Sequence, residues 1–146
     1  MTHIRAQLRR AAVTELKAGA ASFAARVYSS RIYSFKDADL PACNVIIDTE
    51  ESTLDTMCTN VLNRTALLNT EVYAKGIEAM DEVLDDLCVE VENVMGTTFL
   101  DGLAKSVILT NSSFGFTGEG EQPVATAVLS WSVNYVTPDG DPETAG

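Results

Sequence analysis

The sequence contains few of the residue types on which catalytic and metal sites depend. It has one histidine, His3, and three cysteines, Cys43, Cys58 and Cys88, among 146 residues. No two cysteines form a CxxC pair, so the spacing does not match that of a zinc site. Neither a Ser-His-Asp nor a Cys-His arrangement is indicated, and no glycine-rich phosphate loop is present. We therefore predict a protein that is not an enzyme and that carries no cofactor, catalytic residue or metal.

Long apolar runs are also missing. No stretch approaches the roughly 20 apolar residues that a membrane-spanning helix needs. Near the N-terminus, Ile4, Leu8, Ala12 and Leu16 recur at helical spacing instead of forming the apolar block of a signal peptide. An odd number of isolated cysteines is typical of a reducing compartment. These features predict a protein of the cytoplasm that has no membrane contact.

The charges are divided unequally along the chain. Residues 1–36 hold seven basic residues and one acidic residue, whereas the remainder holds three basic and twenty acidic residues. Opposite charges at two ends favour a head-to-tail contact between copies, which closes into a ring if the rotation permits. The alternative is that these charges meet only within one subunit. The candidate residues for a subunit contact are Arg5, Arg9, Arg26, Arg31, Glu50, Glu51 and Asp55.

Hydrophobic periodicity predicts two helices and four strands. The first helix covers about His3–Ala18, with Thr2 as its cap and Gly19 in a left-handed C-terminal cap, and the second lies between Gly76 and Gly96. A short β-branched run after Pro41 predicts the strand Ala42–Asp48, and period-two alternation predicts the strands Val61–Ala74, Ser106–Phe116 and Val124–Val136. Residues 20–36 follow neither period and are expected to form a partly ordered connection. Two acidic flexible loops are expected at Glu50–Thr59 and Thr117–Gln122.

The order of these elements, α-β-β-α-β-β, predicts an α+β fold. We expect an antiparallel sheet of about four strands with both helices packed on one face. A length of 146 residues is enough for one core, so a single domain is predicted over residues 1–137. Residues 138–146 have the composition of a disordered acidic tail.

Three functional alternatives follow from the charges. The carboxylates of the second predicted helix, between Glu78 and Asp86, could hold Mg²⁺ or Ca²⁺, but the solvated face of a long amphipathic helix is the favoured explanation. The basic N-terminal part could contact nucleic acid, but a sequence pI near 4.3 argues against it. A monomeric acidic module that binds another protein remains a third interpretation, although the nearly neutral strands argue against a DNA mimic.

Three phrases of the sequence resemble the tail terminator proteins of long-tailed phages, the lambda-type minor tail protein U family. They are IRAQLRRAAVTEL in the first helix, RIYSFKDADLPACNVII leading into the first strand, and VATAVLSWSVNYV in the last strand. The resemblance covers about Thr2–Thr137. It implies a homohexameric ring that caps the tail tube at the head-tail junction of the virion, ends tail polymerisation and offers a surface for head joining.

The same resemblance implies the partners of the protein. These are other copies of the chain, the tail tube protein below the ring and a head-completion or connector protein above it. Assembly is expected in the host cytoplasm, without sequence-specific binding of nucleic acid, although DNA passes through such a ring. Another head-tail connector or a tail tube component is the alternative within the same class.

Overall fold

The computed structural model describes residues 2–23, 26–30, 40–54, 60–75, 80–117 and 124–144. Two helices, α1 (Ile4–Gly19) and α2 (Met80–Met95), accompany five strands. A single 3₁₀ turn, Ala21–Phe23, follows α1. The strands are β1 (Val27–Ser29), β2 (Ala42–Leu54), β3 (Val61–Lys75), β4 (Ser106–Thr117) and β5 (Val124–Pro138).

The strands form one mixed sheet in the order β1-β2-β3-β5-β4. β2, β3, β5 and β4 pair antiparallel, whereas β1 pairs parallel to β2. The α+β class and the four long strands are confirmed. The expectation of a purely antiparallel four-stranded sheet is wrong, because a fifth strand extends one edge.

The short strand β1 lies in the segment that was expected to be an irregular connection. Val27 is buried and pairs with Cys43 of β2. The backbone N–H of Ser30 donates to the carbonyl of Val45 at 2.9 Å, and the N–H of Cys43 donates to the carbonyl of Arg26 at 3.0 Å. Three residues are too few to show a period, so only pairing with β2 reveals this strand.

Strand β2 is longer than predicted. Glu50, Glu51 and Leu54 were expected in a flexible loop, but the strand continues through them and pairs with β3 as far as Leu62. A register shift after Ile47 then places Glu50 on the same face as the buried Ala66. The strand can include Glu50 because the neighbouring Arg64 compensates the charge of its carboxylate. The rest of the predicted loop, residues 55–59, lies outside the described residues.

The two helices begin and end differently from the sequence prediction. His3, not Thr2, caps α1, and its Nδ1 atom accepts a hydrogen bond from the backbone N–H of Arg5 at 3.1 Å. Gly19 is the last helical residue and not a left-handed cap. A Cβ atom at Gly19 would lie 2.6 Å from Cγ2 of Val94, so this glycine allows α1 and α2 to approach closely.

The core lies between the helices and one face of the sheet. α1 packs on β1 and β2, whereas α2 packs on β3 and β5. The core-facing residues of β5 alternate strictly and are Ala125, Ala127, Leu129, Trp131, Val133 and Tyr135. Cys43 and Cys88 are buried free thiols whose pKa values are raised by burial, as expected of small core residues, while Cys58 is outside the described residues. No described helix is long and apolar enough to cross a membrane.

The start of the predicted acidic tail contacts α1. The backbone N–H of Ile4 donates to the carbonyl of Pro142 at 2.9 Å, and Nε2 of Gln7 donates to the carbonyl of Glu143 at 3.2 Å. The first bond satisfies a backbone N–H at the start of the helix, and the second joins the side chain of Gln7 to the carbonyl of Glu143. Pro142 and Glu143 thus have hydrogen-bond partners on α1 that composition does not reveal, while the disorder of the whole tail stays a prediction.

Candidate assembly surfaces

A cluster of charged and polar side chains joins the start of α1 to the sheet. Oε2 of Glu50 lies 3.5 Å from Nη1 of Arg5 and 3.4 Å from Nη1 of Arg64, while the hydroxyl of Tyr135 donates to Oε1 of Glu50. Nε of Arg64 also donates to Oγ1 of Thr137 at 2.9 Å. We call these five residues the Glu50 cluster. The side chains of Glu50 and Arg64 are only 8% and 12% exposed, so their charges compensate each other away from water.

Two pKa shifts are consistent with the hydrogen bonds around this cluster. Burial raises the pKa of Tyr135, and its hydrogen bond to Glu50 adds to the increase, so the hydroxyl remains a neutral donor. Burial and the nearby guanidinium of Arg5 lower the pKa of His3. A neutral imidazole is required here because Nδ1 accepts the capping hydrogen bond.

The lowered pKa of His3 predicts a loss of stability on mild acidification. Since the unfolded chain binds this proton more readily than the folded chain, the contribution is present above the unfolded pKa near 6.5 and is lost as the pH falls through the folded value. A His3→Asn variant keeps a capping oxygen but does not titrate. We expect chemical denaturation to show a smaller fall in stability between pH 7 and pH 5 for His3→Asn than for the parent. An equal fall in both proteins would contradict this role of His3.

The predicted interface residues occupy different environments. Arg26 contacts the chain just before β2, where its Nε donates a hydrogen bond to the carbonyl of Pro41 at 2.9 Å. Glu51 is exposed on β2. Glu50 forms its ion pairs within the subunit, which agrees with the alternative that opposite charges meet within one chain. Arg31 and Asp55 lie outside the described residues. Whether any of these residues also contacts a second copy stays a prediction.

Arg5 and Arg9 line a cleft between α1 and β2. The cleft has a volume of about 340 Å³, and Asp48 and Glu50 lie on its β2 side. Nε of Arg9 is buried and has no hydrogen-bond partner in the described part of the structure. A buried N–H without a partner costs about 1–3 kcal/mol. Arg9 is thus the residue of this cleft with unused hydrogen-bonding capacity.

A second exposed surface lies along β4, which forms one edge of the described sheet. Phe114 and Phe116 are 55% and 58% exposed, although they pair with the buried Ala127 and Ala125 of β5. The helices therefore cover β5 but not this half of β4. The strand is long and uncharged, which makes it suitable for contact with another chain. Sequence reasoning missed this surface, although two phenylalanines in a strand with no third helix to cover them were a usable signal.

The carboxylates of α2 were considered as a cation site. Asp81, Glu82, Asp85 and Asp86 are exposed. Among the described residues, no group of three or more histidine, cysteine, aspartate or glutamate side chains is arranged to hold a metal ion. The described carboxylates of α2 therefore form an exposed acidic surface, and Glu78 lies outside the described residues.

Comparison with known proteins gives a consistent assignment. A solved chain from the "Virion of native gene transfer agent (GTA) particle" has a similar fold, with a TM-score of 0.54 and 11% identity over 87% of this chain and 94% of that chain. No curated protein matches the sequence. The model of the family described as phage minor tail protein U matches residues 3–135, which include both helices, β2, β3, β4, most of β5 and the Glu50 cluster up to Tyr135. The chain therefore belongs to the phage minor tail protein U family and is a structural protein of the virion tail.

Proposed function

We propose that this protein forms a homohexameric ring that caps the tail tube, ends its polymerisation and provides the surface to which the head joins. Membership of the minor tail protein U family is the observation that carries the proposal. The subunit also has the properties that a ring requires, since its surfaces differ on opposite sides. The apolar β4 surface lies at one edge of the sheet, and the cleft with Arg5 and Arg9 lies beside β2, towards the other edge.

The arrangement of the ring follows from these differences. An apolar edge strand that is complementary to another region of the next subunit makes a heterologous contact, and repeated heterologous contacts close into a ring or continue as a filament. A ring that closes on the tube end stops further addition of tube subunits. The tail tube protein would contact one side of it, and a head-completion or connector protein would contact the other. Assembly takes place in the host cytoplasm before the tail joins the head.

Deletion of the gene for this protein from the genome that encodes the particle tests the proposal. We expect electron microscopy to show tails of abnormal, mostly excessive length and heads that carry no tail, because tube growth has lost its stop. Expression of the intact gene from a plasmid is the control and should restore both length and joining. Tails of normal length that join heads would refute the proposal, whereas loss of all tubes would assign the protein to the tube itself.

Solution mass gives an independent measurement. Light scattering coupled to size exclusion, over a range of protein concentration, is expected to detect a discrete species near six times the chain mass of 15.7 kDa. A continuous distribution of larger species would instead indicate an open filament, as in a tube component. A chain that stays monomeric and leaves tail length unchanged on deletion would favour the acidic binding module.

A further inference from the structure

The two helices present opposite charges on the flanks that point away from each other. On α2, Glu90 accepts a hydrogen bond from the backbone N–H of Ser22, and Val94 meets Gly19, so this flank faces α1. Asp81, Asp85 and Glu92 follow the helical period on the opposite flank. Asp85 and Glu92 both raise the pKa of Cys88, which is consistent with their position on this side. We call these three carboxylates the α2 acidic flank.

The flank of α1 that points away from α2 is basic. Arg5 and Arg9 lie beside β2, whereas Arg10 lies on the other flank, in a groove shared with Asp101 and Leu103 after α2. Since α1 packs on β1 and β2 while α2 packs on β3 and β5, the basic flank lies towards the β1 edge of the sheet. The α2 acidic flank lies towards the β4 edge.

These two flanks match in spacing as well as in charge. Arg5 and Arg9 are one helical turn apart, as are Asp81 and Asp85, and each pair spans about 6 Å along its helix. The ion pairs among the described residues do not include any residue of the α2 acidic flank. Arg5 already contacts Glu50, but Arg9 keeps a buried Nε without a partner. Asp48 lines the same cleft without forming one of these ion pairs.

We infer that Arg9 in the α1–β2 cleft binds a carboxylate of the α2 acidic flank of a second copy, with Asp85 as its main partner. The inference rests on the proposed ring, in which this contact joins α2 of one copy to α1 of the next. When the β4 edge of one copy meets the β1 edge of the next, α2 of the first copy comes to lie beside α1 of the second. The contact pairs the partly exposed guanidinium of Arg9 with a carboxylate and is heterologous, as ring closure requires.

Charge reversal tests this contact. Arg9→Glu places two carboxylates together, and Asp85→Arg places two arginines together, so each variant is expected to weaken association at least about tenfold. The double variant Arg9→Glu/Asp85→Arg restores opposite charges and should assemble close to the parent level. Light scattering over a concentration series gives the association midpoint, and circular dichroism establishes that each variant is folded.

Two matched controls carry the same changes of charge on other surfaces. Arg10→Glu lies on the flank of α1 that faces residues 101–103, and Asp86→Arg points away from the core on α2. Both are expected to leave the midpoint within about twofold of the parent, because general surface charge is screened by salt. Arg9→Ala removes the contact without adding repulsion between carboxylates. It should therefore weaken assembly less than Arg9→Glu.

The outcomes distinguish this inference from the proposed function. Unchanged assembly of Arg9→Glu, or a double variant no better than the single ones, would overturn the contact while leaving a terminator ring possible. If the parent assembles only on tails, the same variants are compared by tail length after complementation of the deletion, and rescue by the double variant is again required. Rescue in solution together with normal tails after gene deletion would support the contact and reject the terminator role.

Discussion

Replacing Glu50 by alanine is expected to lower the free energy of unfolding by about 3 kcal/mol, because breaking a buried ion pair leaves an uncompensated charge. Arg64 would keep its guanidinium in a position where only 12% of the side chain is exposed. The hydroxyl of Tyr135 would also lose its acceptor. Urea denaturation followed by circular dichroism measures this loss.

Glu51→Ala is the matched control for that variant. Glu51 is the next residue of β2 and has the same chemistry, but it is exposed and lies on the opposite face of the strand. Its replacement should change stability by no more than about 0.5 kcal/mol. If the two variants are equally stable, the Glu50 cluster does not contribute to the fold in the way that its geometry indicates. An additional Arg64→Met change in the Glu50→Ala protein should recover part of the loss, since it removes the unpaired charge.

Leu68→Ala is expected to lower the free energy of unfolding by about 2–5 kcal/mol through the cavity that it leaves. Leu68 lies on β3 in the middle of the sheet, is fully buried, and pairs with Ile47 on one side and Trp131 on the other. Trp131 is the only tryptophan of the chain and is 2% exposed, so its fluorescence reports unfolding directly. The expected signal is a transition midpoint at lower denaturant, with a slope that is unchanged.

Leu67→Ala provides the comparison on the other face of the same strand. Leu67 is partly exposed, because no described element covers that face of the sheet. Its truncation removes less buried surface and should cost about 1 kcal/mol or less in the monomer. Equal losses for Leu67→Ala and Leu68→Ala would mean that both faces are buried in solution, as in an assembled ring, and measurement at several protein concentrations would reveal that state.

Elements with a long period could be predicted from the sequence. The buried residues of α2 follow the helical period from Leu84 to Met95, β3 alternates from Thr65 to Lys75, and β5 alternates over most of its length. Repetition over several turns or pairs makes such patterns specific. Their bounds were therefore close to those observed, and the α+β class followed from their order.

Elements that depend on a distant partner could not be predicted in this way. β1 has three residues and exists because β2 offers it an edge. The acidic end of β2 was assigned to a loop because its composition is polar, yet it pairs with β3 and its Glu50 is compensated by Arg64. Similarly, composition does not reveal that Pro142 and Glu143, in the predicted acidic tail, accept hydrogen bonds from α1.

The features of the candidate surfaces also differ in whether they depend on local sequence or on contacts between distant residues. Local pattern and composition were enough to predict the helices, the long strands, the separation of charge and the resemblance to the tail family. The folded chain was needed to reveal that Glu50 is used within the subunit, that Arg9 keeps a buried N–H without a partner, and that two phenylalanines of β4 are uncovered. Burial and charge compensation depend on which elements pack together, and that packing joins residues far apart in the chain.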